Sequence, residues 1–283
     1  MTLPDGQLDA RFTLTLSAAS GIVLRDGIVH VMGDDRGALD RFLFVDGTPL
    51  APIALIPGDA DADAVLAKPD KPDLEALVDL GDGSLLALGS GSRANRERGF
   101  RIGADGVQEI DLSPLYARLR QDLPNLNIEG AARVGFELVL AHRGVGKSDA
   151  SCLVRLDASK LLARRPSSWT AAGLIEIRPV ALGQIDGVAL AFTDLATDAD
   201  GTLHYLAAAE DTDDPYLDGA CRGSVIGRLT KGSALPTARL RPDVKAEGLA
   251  FLGRSVRDNS WAVVTDADDP GLRAKLYELR LPR

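Results

Sequence analysis

Cysteine, histidine and clustered positive charge are all scarce in this chain, and each scarcity removes a class of function. Among 283 residues there are two cysteines and three histidines. Cys152 and Cys221 lie far apart in sequence, which supports neither a zinc cluster nor a disulfide framework and leaves both as free thiols. Basic residues number 32 against 41 acidic ones, a net charge of −9, and no run of Lys or Arg makes a local exception; a polyanion such as nucleic acid is therefore not an expected partner. No stretch approaches eighteen consecutive apolar residues, so no membrane-spanning helix is expected. The segment Met1 to Ala10 lacks a basic stretch followed by an apolar run, and the expected location is the cytoplasm, although an exported form that had lost its leader would look the same.

What the chain does have is repetition. Apolar residues make up 45% of it, ample for one core. Five times, at roughly fifty to seventy residue intervals, a small or acidic residue opens an apolar strand, a tight turn follows, and a second apolar strand ends in a polar cluster. Periods of this length signal a propeller. The first-strand entries are Ser20, Glu75, Glu129, Asp194 and Glu247; the second strands end at Asp34, Ser90, His142, Glu210 and Asp266. Turn pairs between first and second strands are Asp26-Gly27, Asp82-Gly83, Val134-Gly135, Asp200-Gly201 and Asp258-Asn259, four of which suit the positive φ of tight hairpins. Later turns fall at Asp46-Gly47, Asp105-Gly106 and Lys231-Gly232, and repeat three carries a helical insert from Asp157 to Ser168.

The repeats run from Ala19 to Pro57, Leu74 to Leu112, Asn127 to Val180, Val188 to Leu240 and Ala246 to Leu281. The fifth supplies only three strands, while Arg11 to Ser17 precedes repeat one unpaired. Placing that N-terminal strand at the outer edge of the last blade removes two exposed sheet edges. The expected fold is all-β: a single five-bladed β-propeller domain over residues 1–283 closed in this way, with six blades as the alternative count. Pro114 to Asp122 has helical spacing and is expected to cross one face.

Equivalent first-strand positions in a propeller form a ring at one depth of the channel. Two carboxylates about 6 Å apart at an effective dielectric near 20 repel by roughly 3 kcal/mol, so the ring requires a neutraliser. Protonation of some of the acids is one answer, and three further readings stand open. Calcium or another divalent cation suits ligands drawn from separate blades, with Glu75, Glu129, Asp194, Glu247 and Asp266 as the metal set. Alternatively Arg36, Arg93 and Arg143, each on a loop after a second strand, fold over the channel and pair with the acids. Thirdly, the acids accept backbone N–H bonds from the next blade. The loops at the same mouth contain Asp34, Asp35, Arg36, Ser90, Ser92, Arg93, Asn95, Arg96, Arg98, His142, Arg143, Lys147 and Ser148 in repeats one to three, and Glu210 to Asp218, Asp266, Asp268 and Asp269 in repeats four and five. A basic half and an acidic half are thus expected.

Gly144-Val-Gly-Lys-Ser148 lacks the first glycine of a phosphate loop and precedes a strand, so no nucleotide cofactor is expected. Asp198-Ala-Asp-Gly201 lacks the closing Glu of a calcium loop and reads as a hairpin turn.

The segments Ile128-Glu-Gly-Ala131, Ala246-Glu-Gly-Leu-Ala250 and Val264-Thr-Asp-Ala-Asp-Asp269 resemble those of bacterial phytase-like propeller families. The resemblance implies calcium and phosphoester chemistry. Two functions follow as expectations: a monomeric ligand- or protein-binding module with its site at the channel mouth, or a divalent-metal-dependent hydrolase of a small phosphoester or lactone. In the second, Arg93 and Arg143 orient the anion, Arg36 stands on the same rim, and His142 or Glu210 activates a metal-bound water.

Overall fold

The computed structural model describes residues 3–56, 66, 70–144, 150–163, 166–211, 219–230, 233–267 and 269–282. Strand β1 (Asp5–Thr13) precedes five antiparallel groups. Group one is β2 (Ala19–Arg25), β3 (Ile28–Gly33), β4 (Ala38–Leu43) and β5 (Pro49–Ala54); group two is β6 (Leu74–Asp79), β7 (Leu85–Gly89), β8 (Arg98–Gly103) and β9 (Gly106–Asp111). Group three is β10 (Ile128–Val134), β11 (Glu137–His142), β12 (Cys152–Asp157) and β13 (Leu174–Pro179). After the two-residue β14 (Gln184–Ile185) come group four, β15 (Val188–Thr197), β16 (Leu203–Asp211), β17 (Ala220–Thr230) and β18 (Ser233–Arg241), and group five, β19 (Lys245–Arg254), β20 (Asp258–Asp266) and β21 (Lys275–Pro282). The organisation is all-β and propeller-like.

The first strand of each group packs against the first strand of the next: β2 on β6, β6 on β10, β10 on β15, β15 on β19, and β19 back on β2. Among the described residues, no hydrogen-bonded ladder closes this inner circle. What holds it is apolar packing between sheets, because each sheet has two apolar faces and buries both. Val23, Met32 and Leu39 of group one meet Leu77, Leu85 and Phe100 of group two. Ile22, Val29 and Phe42, on the other face of group one, meet Ala250, Val264 and Leu276 of group five. Three further clusters fill the remaining interfaces. Each large side chain so buried contributes about 1.5–3 kcal/mol.

β1 lies antiparallel to β21 with Leu8 opposite Leu279, which supplies the fourth strand of group five as the sequence reading expected. It begins earlier than the Arg11 to Ser17 segment, and it also pairs in parallel with β18 at Asp5 to Gln7, a contact the repeat did not reveal. Groups four and five consequently form one nine-stranded sheet.

The turn at Asp26-Gly27 has positive φ at both residues, 53° and 75°. Asp258-Asn259 is not a turn: both residues pair within β20, and the reversal falls at Ser255 to Arg257. Helix α1 (Ser113–Leu119) buries Leu115, Tyr116 and Leu119 beneath groups two and three, and α2 (Ala158–Leu162) occupies the insert in group three. The Lys231-Gly232 turn and most of the Gly58 to Asp73 loop lie outside the described residues.

Every inner strand carries a bulge, near its start in four groups and midway along β15. The register skips one residue between Ala19 and Gly21, Leu74 and Ala76, Ile128 and Gly130, Phe192 and Asp194, and Ala246 and Gly248. A bulge leaves its extra residue outside the ladder, here Ser20, Glu75, Glu129, Thr193 and Glu247. The residue after it is small in four groups because the inner strands approach closely there. A Cβ on Gly130 would stand 2.7 Å from the Asp194 Cα. Gly130→Ala is expected to push β15 away and destabilise the fold by about 1–3 kcal/mol, measured as a lowered urea midpoint with unchanged slope; an unchanged midpoint would mean that the strands have slack.

Candidate functional site

The bulges decide which side chains share the ring. The sequence repeat aligned Asp194 with Ser20, Glu75, Glu129 and Glu247, but the fourth member is Thr193, and Asp194 falls one position later, where the other groups have Gly21, Ala76, Gly130 and Gly248. Asp194 is 1% exposed. Its Oδ1 accepts from Leu195 N and its Oδ2 from Leu249 N of the next group, both at 2.7 Å. That geometry fits the strand-edge reading and separates Asp194 from the other acids. Burial raises its pKa well above the usual range, with the two amide bonds opposing. Ser20 and Thr193 serve the same joint in reverse: their hydroxyls donate to Leu74 O and Ala246 O, each at 2.6 Å, on the following inner strand.

The three remaining ring carboxylates differ in what neutralises them, and the residue two positions before each explains the difference. Asn127 Nδ2 donates to Glu129 Oε1 at 2.6 Å. Lys245 Nζ lies 3.1 Å from Glu247 Oε1 and 3.3 Å from Glu210 Oε1. Arg143 completes this side, with Nη2 at 2.8 Å from Glu210 Oε2 and Nη1 at 3.5 Å from Glu129 Oε2. The arginine-pairing reading thus holds for Arg143 in groups three to five, joined by a lysine that the sequence reading overlooked. Before Glu75 stands another acid, Asp73.

Asp34, Asp73 and Glu75 each offer an oxygen within 4.8 Å of the others. Asp73 Oδ2 is occupied by Ser90 Oγ at 2.5 Å and by Arg96 Nη1 at 2.7 Å. Asp34 Oδ2 is paired with Lys71 Nζ at 3.0 Å, whereas the buried Asp34 Oδ1 has no hydrogen-bond partner among the described residues. Glu75 is half-buried, and among the described residues it makes no ion pair. Burial first, then repulsion from Glu129, Asp73 and Asp34, pushes its pKa well above the usual range. Six carboxylates, Asp34, Asp73, Glu75, Glu129, Glu210 and Glu247, therefore share four cations, Lys71, Arg96, Arg143 and Lys245. If all ionise, two negative charges remain.

Among the described residues, the ring acids short of cations sit in groups one and two; most of the group-four loop expected to supply an acidic half lies outside the described residues. Other expected residues also land elsewhere. His142 is fully buried, and its Nδ1 accepts from Asn127 N at 3.1 Å; solvent does not reach it, so it braces the start of β10 and is not placed as a general base. Glu210 is ionised more readily than usual because Arg143 and Lys245 overcome the burial that opposes it, which makes it a weak base. Arg36 is buried with its guanidinium 3.4 Å from Asp40. Arg93 is exposed at the start of a short 3-10 turn, and its neighbour Arg96 is the buried cation. Asp266 pairs opposite Lys245 and bridges to Ala18, between groups five and one, outside the three-acid cluster. Lys147, Ser148, Asp268 and residues 212–218 lie outside the described residues.

The family of unknown function DUF6929 matches residues 15–281. The chain belongs to that family. No curated protein matches it in sequence. Among solved structures, a glutaminyl cyclase from Myxococcus xanthus is 13% identical, with a TM-score of 0.56 over 100% of this chain and 99% of its own. A calcium-binding protein, regucalcin, from Agrobacterium tumefaciens is 12% identical, with a TM-score of 0.52 over 100% and 97%. A luciferin-regenerating enzyme is 12% identical, with a TM-score of 0.51 over 97% and 95%. At such identities the likeness establishes the fold alone, so the phytase-like resemblance extends only as far as propeller kinship.

Burial pushes Glu247 up to about 8, with Lys245 opposing and Glu129 adding repulsion. Above about pH 4.5 the unfolded chain releases a proton that the folded chain keeps, so this group's share of stability is lost as pH rises toward 8. Glu247→Gln is expected to flatten that decline while Lys245 keeps its contact with Glu210. Thermal unfolding of both proteins at pH 5 and pH 8.5 checks it; parallel losses would show that Glu247 is not the titrating group.

Proposed function

We propose that the protein is a ligand-binding module whose site is the channel mouth of a five-bladed propeller and whose anchor is a divalent cation held by Asp34, Asp73 and Glu75. The observation that carries this reading is the three-acid cluster with its partnerless, buried Asp34 Oδ1. Calcium accepts six to eight oxygens at about 2.3–2.6 Å, so ligand oxygens on opposite sides of one ion stand up to about 5 Å apart, and the 4.8 Å limit of the cluster fits that span. Water and a ligand would complete the shell. With all six acids ionised, the two surplus negative charges would match one divalent ion. The Agrobacterium protein of similar fold is described as calcium-binding, which supports calcium as the first ion to test.

The exposed Arg93, on the loop beside Asp73, gives a small anionic ligand a second point of attachment. A hydrolase of a small phosphoester or lactone is the other reading, supported by the enzymes among the similar folds. It would use the same cation, but its base would not be His142, which the ligand cannot reach.

Calorimetric titration of chelator-treated protein with calcium is expected to show one site. Asp34→Asn and Glu75→Gln should each weaken it at least tenfold, and Glu247→Gln by much less. The absence of a heat signal and of a thermal shift with calcium, magnesium and manganese would reject the cation and leave a protein partner to be sought at the mouth.

A further inference from the structure

Further along the same five inner strands, beyond the carboxylate ring, lies a cavity of about 240 Å³ that the mouth does not use. Every group contributes a stretch of its first strand to the wall. Four residues past each bulge stand Leu24, Asp79, Arg133, Thr197 and Phe251, all half-buried where the strands run into their hairpin turns. Phe251 and Leu24 belong to adjoining strands, β19 and β2, and Asp79 and Arg133 to adjoining strands, β6 and β10. One side of the cavity opening is therefore apolar, and another carries one acid and one base.

Those two charges are available. Among the described residues neither Asp79 nor Arg133 forms an ion pair. Arg133 spends its Nε on Gly135 O at 3.1 Å, and its Nη1 lies 3.8 Å from where a Cβ on Gly81 would stand. Gly81 N in turn donates to Asp79 Oδ1 at 2.7 Å. The guanidinium thus lies over the turn that holds the carboxylate, with its two terminal nitrogens uncommitted to any acid. Asp198, also in the wall, is already committed: it accepts from Asp200 N, Thr202 N and His204 Nε2 at 2.9–3.1 Å.

The charges left uncommitted in the wall are one acid and one base beside an apolar flank, so a simple anion or a simple cation meets a like charge next to the opposite one. A zwitterion with both charges on one carbon and an apolar substituent meets three complementary surfaces. We propose that this cavity binds a free α-amino acid with an apolar side chain, its carboxylate on Arg133, its ammonium on Asp79 and its side chain against Leu24 and Phe251. Arginine suits the carboxylate because its planar fork pairs with two oxygens, and hydrogen bonds between charged partners are the stronger kind. The volume falls below the roughly 300–1,000 Å³ of pockets for drug-sized ligands, which favours a molecule of single-residue size. The site is independent of the cation at the mouth.

The test is calorimetry with L-leucine and L-phenylalanine on the full chain, alongside N-acetyl-L-leucine, which lacks the ammonium, and L-leucinamide, which lacks the carboxylate. Saturable binding of a free amino acid is expected, at least tenfold weaker for both blocked analogues and at least tenfold weaker in Arg133→Gln and in Asp79→Asn. Leu24→Trp fills the apolar side without touching either charge and should abolish binding; thermal unfolding verifies that each variant is folded. No saturable binding at millimolar concentration, or equal binding of the free and blocked forms, overturns the proposal.

Discussion

Carboxylates forced together where five inner strands converge are the constraint around which this mouth is built. The bulge in each inner strand takes one residue out of the ladder, and in three groups that residue is a glutamate. Buried like charges at such spacing cost several kcal/mol unless matched. The chain answers differently on its two sides: with Asn127, Arg143 and Lys245 around Glu129, Glu210 and Glu247, and with too few cations around Asp34, Asp73 and Glu75. The first arrangement is a closed set of ion pairs that stiffens the joint between groups three, four and five. The second leaves oxygens for something from outside.

The same inner strands explain why the fold can tolerate that unevenness. Their packing depends on small residues after the bulge and on apolar clusters between sheets, not on the ring acids. Asp194 shows the alternative use of an acid at this joint. At the position where its counterparts are small, it reaches across and takes two backbone N–H groups, so its charge serves the seam between groups four and five.

Much of this architecture was legible in the sequence because hairpin turns and apolar strands leave local signals. Asp26-Gly27 and Val134-Gly135 mark their turns, and the missing fourth strand of group five pointed to the N-terminus as its source. The ring was legible only to within one residue, since a bulge has no fixed sequence signature and the carboxylate of Asp194 was a more conspicuous candidate than the hydroxyl of Thr193. Asp258-Asn259 looked like a turn by composition, yet ladder pairing with Pro282 and Leu281 of β21 extends the strand through it. Arg96 stood among the expected cations of the mouth, but its pairing with Asp73 was not legible and Lys245 escaped notice, because their partners come from other segments. The second-position pattern, Asp73, Asn127 and Lys245 before Glu75, Glu129 and Glu247, was present in the sequence and separates the neutralised acids from the unneutralised one.

The central claim is that the unmatched acids of groups one and two hold a cation. Anomalous diffraction from a crystal soaked in manganese tests it most directly. The account requires a peak bounded by oxygens of Asp34, Asp73 and Glu75; strong peaks elsewhere with none at this cluster, or a direct ion pair filling the cluster, would contradict it.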